Sequence, residues 1–340
     1  MNKAVILFNL GGPDKLESVE PFLFNLFNDP EILSIPSIFR YPLAKFISKR
    51  RTPIAKNIYK EIGNKSPILE LTQEQATSLE KSLSAKGNYK CFVVMRCWHP
   101  RAIDVIKKVK EFNPDEIILL PLYPQFSAAT SGSSINEWKD LCKKENFNVK
   151  TKTICCYPTE SNFIKSHANL IRKTIYNTKS KNFKLLFSAH GLPEIKIKKG
   201  DPYQWQVEET VKRIMVELKD ENLNHTISYQ SRVGPLKWIG PSTDEEIIKY
   251  SKEKKGIVIV PVAFVSEHSE TLVELDIEYK KLAKENGCSF YKRVPALGVE
   301  ESFIKGLTDL VLQKETKSNF VSSVMCPNKY VKCPCLPIRK

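Results

Sequence analysis

The sequence predicts an α/β protein built as two similar halves, each a parallel sheet with helices on both faces. Three observations predict it. Apolar runs that read as strands alternate with amphipathic segments that read as helices along most of the 340 residues. The chain faintly repeats itself: residues 117–127 (IILLPLYPQFS) resemble 257–266 (IVIVPVAFVS), and Leu7-Phe8-Asn9-Leu10-Gly11 resembles Leu186-Phe187-Ser188-Ala189-His190-Gly191. In each half a strand ends in Gly or Pro and opens into a polar loop, and open α/β sheets bind ligands at those carboxyl ends. Two such halves facing each other are expected to form a ligand cleft at their junction.

The elements follow in order. The first strand, residues 4–10, stops at Gly11-Gly12-Pro13-Asp14, a strand-to-turn signal. It is not a nucleotide fingerprint, because the third glycine is missing. Residues 20–51 form an aromatic block, with Phe22, Phe24, Phe27, Phe39, Tyr41 and Phe46 closed by Lys49-Arg50-Arg51. Pro21, Pro30, Pro36 and Pro42 bar one long helix there. Helices at 73–84, 101–112 and 134–145 then alternate with strands at 90–95, 116–122 and 150–156. The second half has helices at 162–177, 204–219 and 243–252, strands at 184–189, 226–230, 256–265 and 289–294, and an apolar helix pattern near 300–313. The expected domains are 1–155, 160–313 and a Cys-containing tail, 314–340.

Ser266 is a fair N-cap for a helix leaving the strand at 256–265. At about 100° per residue, Glu267, Glu270, Glu274 and Glu278 fall within roughly 80° of one another on one face. Leu272, Leu275, Tyr279 and Leu282 form another face that can bury against a sheet. Acids in one stripe repel, at about 0.2–0.5 kcal/mol per i,i+4 pair. A metal ion or a proton path would offset this. A solvated acidic face weighs equally on the stripe alone. His268 beside it, and the strand end it leaves from, favour a functional role. His190 directly follows a strand and precedes Gly191-Leu192-Pro193, a place suited to facing a cleft. Imidazole with carboxylates suits an iron-like divalent ion and also accepts protons.

Composition sets outer bounds. The net charge is +15, yet Lys is spread along the chain, and no helix-turn-helix, zinc-finger or RNA-binding motif occurs, so nucleic acid is not expected as a partner. No run of 18 apolar residues occurs, so no membrane span is expected. Residues 4–10 are too short for a signal sequence and lack a small-residue cleavage site. The expected location is the cytoplasm, where nine Cys stay reduced unless they bind metal. Cys326, Cys333 and Cys335 are spaced C-x6-C-x-C, a concentration that favours metal over free thiols on a frayed end.

A set of motifs in order carries a resemblance: Leu10-Gly11-Gly12-Pro13, Arg50-Arg51-Thr52-Pro53, Ser66-Pro67-Ile68, Met95-Arg96-Cys97-Trp98-His99-Pro100, Leu122-Tyr123-Pro124-Gln125-Phe126-Ser127, Thr130-Ser131-Gly132-Ser133-Ser134, Phe187-Ser188-Ala189-His190-Gly191-Leu192-Pro193, Tyr229-Gln230-Ser231-Arg232-Val233-Gly234-Pro235 and the stretch 266–276. Together they resemble the ferrochelatases. The resemblance implies two Rossmann-like domains with the active site in the cleft between them. It implies a lyase that inserts ferrous iron into protoporphyrin IX with release of two protons, the last step of haem biosynthesis.

His190 then matches the catalytic His and Glu270 the acid across the porphyrin, both meeting the substrate iron. Glu267, His268, Glu274 and Glu278 match a proton or metal path. Arg96, Tyr123 and Trp238 match pocket-lining positions. Arg50 and Arg51 lie near the mouth, where Arg suits propionates, with Ser66 in the same lip. The aromatic block with its basic edge would touch an anionic membrane surface, placing the protein peripherally on the inner membrane. The chain departs from the family at Cys97, where many relatives have Tyr, at Leu10, which is Met or Tyr elsewhere, and at Asn64-Lys65, often Gly-Gly. Some ferrochelatases hold a [2Fe–2S] cluster on tail Cys. The fourth ligand of one branch falls here at Ala128-Ala129, so Cys155 or Cys156 would substitute, with structural zinc as the alternative. The alternative functions are a cobalt or nickel chelatase acting on another tetrapyrrole, or a non-catalytic haem carrier. A carrier needs no acidic row.

Overall fold

The computed structural model describes residues 1–176, 178, 182–232, 234, 236–313 and 320–335. Val233 and Pro235 of the Tyr229 motif, and tail residues 314–319 and 336–340, lie outside the described residues.

Two compact units form. The first comprises Met1–Tyr123, Ser127–Cys155 and Leu307–Val321, and the second Pro124–Phe126, Cys156–Gly306 and Ser322 onward. Residues 307–313, expected with the second domain, belong to the first unit. The Lys152 ammonium donates to the carbonyls of Val311 and Gln313 and so caps the end of the helix Glu301–Leu312. Thr308 adds a hydrogen bond to Ser82.

Among the described residues nine strands form: β1 (Asn2–Asn9), β2 (Asn88–Met95), β3 (Glu116–Pro121), β4 (Lys150–Cys156), β5 (Phe183–His190), β6 (His225–Gln230), β7 (Gly256–Pro261), β8 (Tyr291–Arg293) and β9 (Phe320–Ser322). The first sheet has the order β2-β1-β3-β4-β9 and the second β6-β5-β7-β8. β1 pairs in parallel with β2 and β3, and β5 in parallel with β6 and β7. Strands covered on both faces read as continuous apolar runs, which is why β1, β3, β5 and β7 stood out in the sequence. Val5, Ile6 and Leu7 are fully buried, as are Ile257 through Val260. One core of the first unit packs Phe8 edge-on against buried Trp138. The second gathers Leu186, Ile259, Leu275 and Tyr279. The three-residue β9 was too short to show a pattern.

The expected helices appear as Ile68–Leu83, Ala102–Phe112, Ser133–Lys144, Ser161–Tyr176, Tyr203–Glu217 and Thr243–Lys252. The aromatic block folds as a helix Val19–Phe27 and a 24-residue helix Ser37–Lys60. Pro30 and Pro36 fall in the break between them. Pro42 does not end the second helix, nor does Pro53. Both are exposed, as are Ile38 and Lys49, whose carbonyls they leave without an intrahelical donor, so water can serve them.

The internal repeat extends into backbone geometry. Both β3 and β7 end in proline, and each is followed by a loop and then a widened π-type turn, Ala128–Gly132 in one half and Glu270–Glu278 in the other. Such i→i+5 segments are rare and cluster at functional sites.

Candidate active site

The π segment corrects the picture of one acidic stripe. Its N-cap is Ser269, not Ser266, so Glu267 precedes the helix. Glu267 instead accepts from Arg293 at 2.9 Å and from the Ala296 backbone N–H at 2.9 Å. Arg293 also binds Asp276 through two contacts of 2.8 Å, so it neutralises two acids at once. Glu278 is exposed at the far end. Only Glu270 and Glu274 come together. The i→i+5 pattern widens the turn, and Tyr279, five residues after Glu274, donates to its Oε1 at 2.9 Å.

His190, at the carboxyl end of β5, donates from Nδ1 to Glu270 Oε2 at 2.8 Å. Burial alone would lower the His190 pKa, but the charge and hydrogen bond of Glu270, with Glu274 behind it, raise it above its usual value. Burial pushes Glu270 upward in turn, yet His190, His268 and Ser231 bring its carboxyl down to about 2. Glu274 behaves in the opposite way. Burial and the neighbouring Glu270 charge raise its pKa, although Ser231 and Tyr279 hydrogen-bond it. Two adjacent carboxylates are thus set apart, one held ionised and one able to keep a proton.

Ser231 joins them. Its hydroxyl lies 3.1 Å from Glu270 Oε2 and 2.5 Å from Glu274 Oε2, and its N–H donates to Glu274 Oε1 at 2.9 Å. It does so from a left-handed backbone with φ of 60°. That strained conformation is held by these bonds. Gln230 Nε2 adds a bond to Glu274 at 3.0 Å. His268 is buried against Phe264, and burial lowers its pKa while the charges of Glu270 and Glu267 oppose that shift. Gly191 lets the chain pass close. A Cβ there would lie 2.9 Å from the Gln230 carbonyl and 3.2 Å from the Trp238 ring, which stands beside the His190 turn.

The candidate residues of the first unit do different work. Arg96 is engaged by Asp29 at 2.9 Å, Glu137 at 3.0 Å and Ser133 at 2.8 Å. The Tyr123 hydroxyl is buried beside that of Ser134, and burial keeps it protonated. Ser66 packs directly on Gly12, where a Cβ would come within 2.5 Å of it. Arg50 and Arg51 are exposed, with Arg51 set over the Phe27 ring.

The tail thiols converge in the second unit. Cys326 is hydrogen-bonded to Cys333, the Cys333 and Cys335 sulfurs lie within 4.8 Å of each other, and Gln206 links Cys326 to Cys156. Cys155 is the last residue of the first unit's β4 segment. Buried thiols gathered this closely have the chemistry of a soft-metal or iron–sulfur site, so the residues fit such a group.

Ser231, Arg293 and Tyr279 were not singled out on sequence as site residues. The Tyr229 motif contains Ser231, but its left-handed turn shows only in the fold. One expected outcome follows from the His190–Glu270 pair. A raised His pKa and a lowered Glu pKa mean that the pair stabilises the fold fully between about pH 4.5 and about pH 6.5, and that this contribution is lost as pH rises through the folded value of His190 or falls towards that of Glu270. Glu270→Gln removes the charge and leaves the burial, so the His190 pKa should fall below its ordinary value. An NMR titration of the ring checks this, and an unmoved His190 titration would show that Glu270 does not govern it.

A family model described as Ferrochelatase matches residues 2–315. The ferrochelatase of Pelagibacter ubique (strain HTCC1062) is 64% identical over 343 residues, covering 99% of each chain. That of Rickettsia felis (strain ATCC VR-1525 / URRWXCal2) is 50% identical over 340 residues, covering 98% of this chain and 97% of its own. Among solved structures, SirB from Bacillus subtilis with Fe3+ matches with a TM-score of 0.54 at 12% identity, over 92% of this chain and 94% of that one. The sirohydrochlorin chelatase SirB from Bacillus subtilis subspecies spizizenii in complex with cobalt matches with a TM-score of 0.52 at 10% identity, over 90% and 92%. These two likenesses speak for the fold alone. With a family match over nearly its whole length and relatives at half to two-thirds identity, the chain belongs to the ferrochelatase family.

Proposed function

We propose that this protein inserts ferrous iron into protoporphyrin IX as the last step of haem biosynthesis, with His190 as base. The observation that carries the assignment of roles is the His190–Glu270 pair backed by Ser231 and Glu274. Iron replaces two pyrrole N–H protons, so both must leave as the metal–nitrogen bonds form. Glu270 holds His190 Nδ1, which leaves Nε2 as the atom that accepts a pyrrole proton. The ionised Glu270 then stabilises the imidazolium. Glu274, with its raised pKa, can carry a proton onward, and Ser231 connects the two carboxylates. His190 must be neutral to accept a proton, so the rate rises with pH through its ionisation.

The other residues take roles consistent with their contacts. Glu267, paired with Arg293, and exposed Glu278 flank this path on either side. Arg50 and Arg51 are exposed and can pair with propionates. Arg96 engages Asp29, Glu137 and Ser133, so it braces the segments of the first unit that carry them. Trp238 beside His190 offers a flat apolar surface to a macrocycle.

Mixing the protein anaerobically with ferrous iron and protoporphyrin tests the activity through the haem spectrum. His190→Ala should lose turnover by roughly 10²–10⁴-fold, the usual weight of a general base, while porphyrin binding persists. Near-normal turnover in that variant would remove His190 from the mechanism.

We further propose that Cys326, Cys333 and Cys335, with Cys155 or Cys156, hold a [2Fe–2S] cluster. When bound, it would cross-link the tail and exchange one electron. Fresh protein should be coloured, contain acid-labile sulfide, and bleach with dithionite. Full iron retention in a Cys326/Cys333/Cys335 triple Ser variant would refute these ligands.

Membrane contact is the last part of the proposal, as a peripheral protein on the cytoplasmic face of the inner membrane. No helix among the described residues is long and apolar enough to cross a bilayer. The helix Ser37–Lys60 has seven Lys or Arg and no acid, and it exposes Ile38, Phe39, Tyr41 and Phe46. Lys49, Arg50 and Arg51 would each add about 1 kcal/mol near an anionic surface. Flotation with anionic vesicles should show binding that weakens with salt. Equal binding to neutral vesicles would contradict it.

A further inference from the structure

We propose that Gln206 sets the reduction potential of the iron–sulfur group by donating hydrogen bonds to its cysteine ligands, an inference that rests on reading the tail thiols as those ligands. Gln206 lies in the first turn of the helix Tyr203–Glu217 and is fully buried. The Phe126 backbone N–H donates to its Oε1 at 2.7 Å. A backbone N–H can only donate, so this contact fixes which end of the amide is oxygen. The NH₂ end must then face the sulfurs, and it does. Nε2 lies 3.1 Å from Cys326 Sγ and 3.4 Å from Cys156 Sγ. Both amide protons are directed at thiols, an unusual commitment for a buried glutamine.

The surroundings hold this geometry in place. The next residue back, Trp205, stacks on Tyr330 of the tail with centroids 5.7 Å apart. The Lys332 N–H donates to the Gly200 carbonyl at 3.1 Å. Cys326, Tyr330 and Cys333 form one buried cluster with Trp205 and Cys335 packed against it. The tail therefore docks on the same helix turn that carries Gln206, so the amide cannot drift from the sulfurs.

Its consequence for a bound group is electrostatic. N–H···S bonds stabilise negative charge on thiolate sulfur. Reduction adds one electron and makes the group more negative, so such bonds favour the reduced form and raise the potential. Inside a buried, low-dielectric pocket the effect is not screened by water.

The test is a potentiometric titration of the full-length protein, followed by visible absorption with dithionite as reductant, beside iron and acid-labile sulfide assays. Gln206→Leu should keep its iron and sulfide but shift to lower potential, by about tenfold in the reduced-to-oxidised ratio at fixed potential, or 59 mV for one electron. Gln206→Glu keeps an oxygen for Phe126 and removes the NH₂ donor. It should shift the same way, and it serves if the Leu variant fails to retain iron. An unchanged potential in a variant that retains the cluster would overturn the role of Gln206 while leaving the ligands standing. Wild-type protein without acid-labile sulfide would overturn the ligands and this inference together.

Discussion

The chemistry of the second unit hangs on one half-buried negative charge, the carboxylate of Glu270. Burial opposes that charge, and three neighbours secure it: the His190 ring, the Ser231 hydroxyl and nearby His268. Because the charge is retained, His190 becomes more basic, and Glu274 becomes less acidic. One ionised group thus orders its neighbours along a gradient of proton affinity. The strain at Ser231 and the widened turn at Glu270–Glu278 both serve to bring those groups within hydrogen-bonding reach.

Much of the scaffold was legible in the sequence because parallel strands buried on both faces announce themselves as apolar runs. His190 was legible for the same reason, since a strand end is visible once the strand is. Regular α-helical spacing counts Glu267 into the helical stripe, whereas the turn is of the i→i+5 kind and begins after Glu267. No local pattern signals a π turn. Arg293 lies 26 residues from its partner Glu267, and Ser231 lies 39 from Glu270, so only the sheet brings them together. The prolines do bar one long helix across residues 20–51, since Pro30 and Pro36 fall in the break, while Pro42 is accommodated inside the second helix, where the exposed Ile38 carbonyl can turn to water.

The tail illustrates how side chains read as spacing alone acquire meaning from a partner. C-x6-C-x-C suggested metal, but nothing in the sequence pointed to Gln206, an ordinary residue of an amphipathic helix. Its amide becomes informative because the Phe126 N–H at one end dictates what the other end presents.

The paired exits from β3 and β7 have a consequence for how the two halves came to differ. Each passes through proline into a widened turn of the same kind. In the first half that turn and its flank carry hydroxyls, Ser127, Thr130, Ser131, Ser133 and Ser134. In the second they carry acids, Glu267, Glu270, Glu274, Asp276 and Glu278. The backbone device is shared, and only the side chains are exchanged. A duplicated architecture could therefore acquire a division of labour, one exit neutral and one anionic, by substitutions within and beside a single turn, without any change to the sheets that support it.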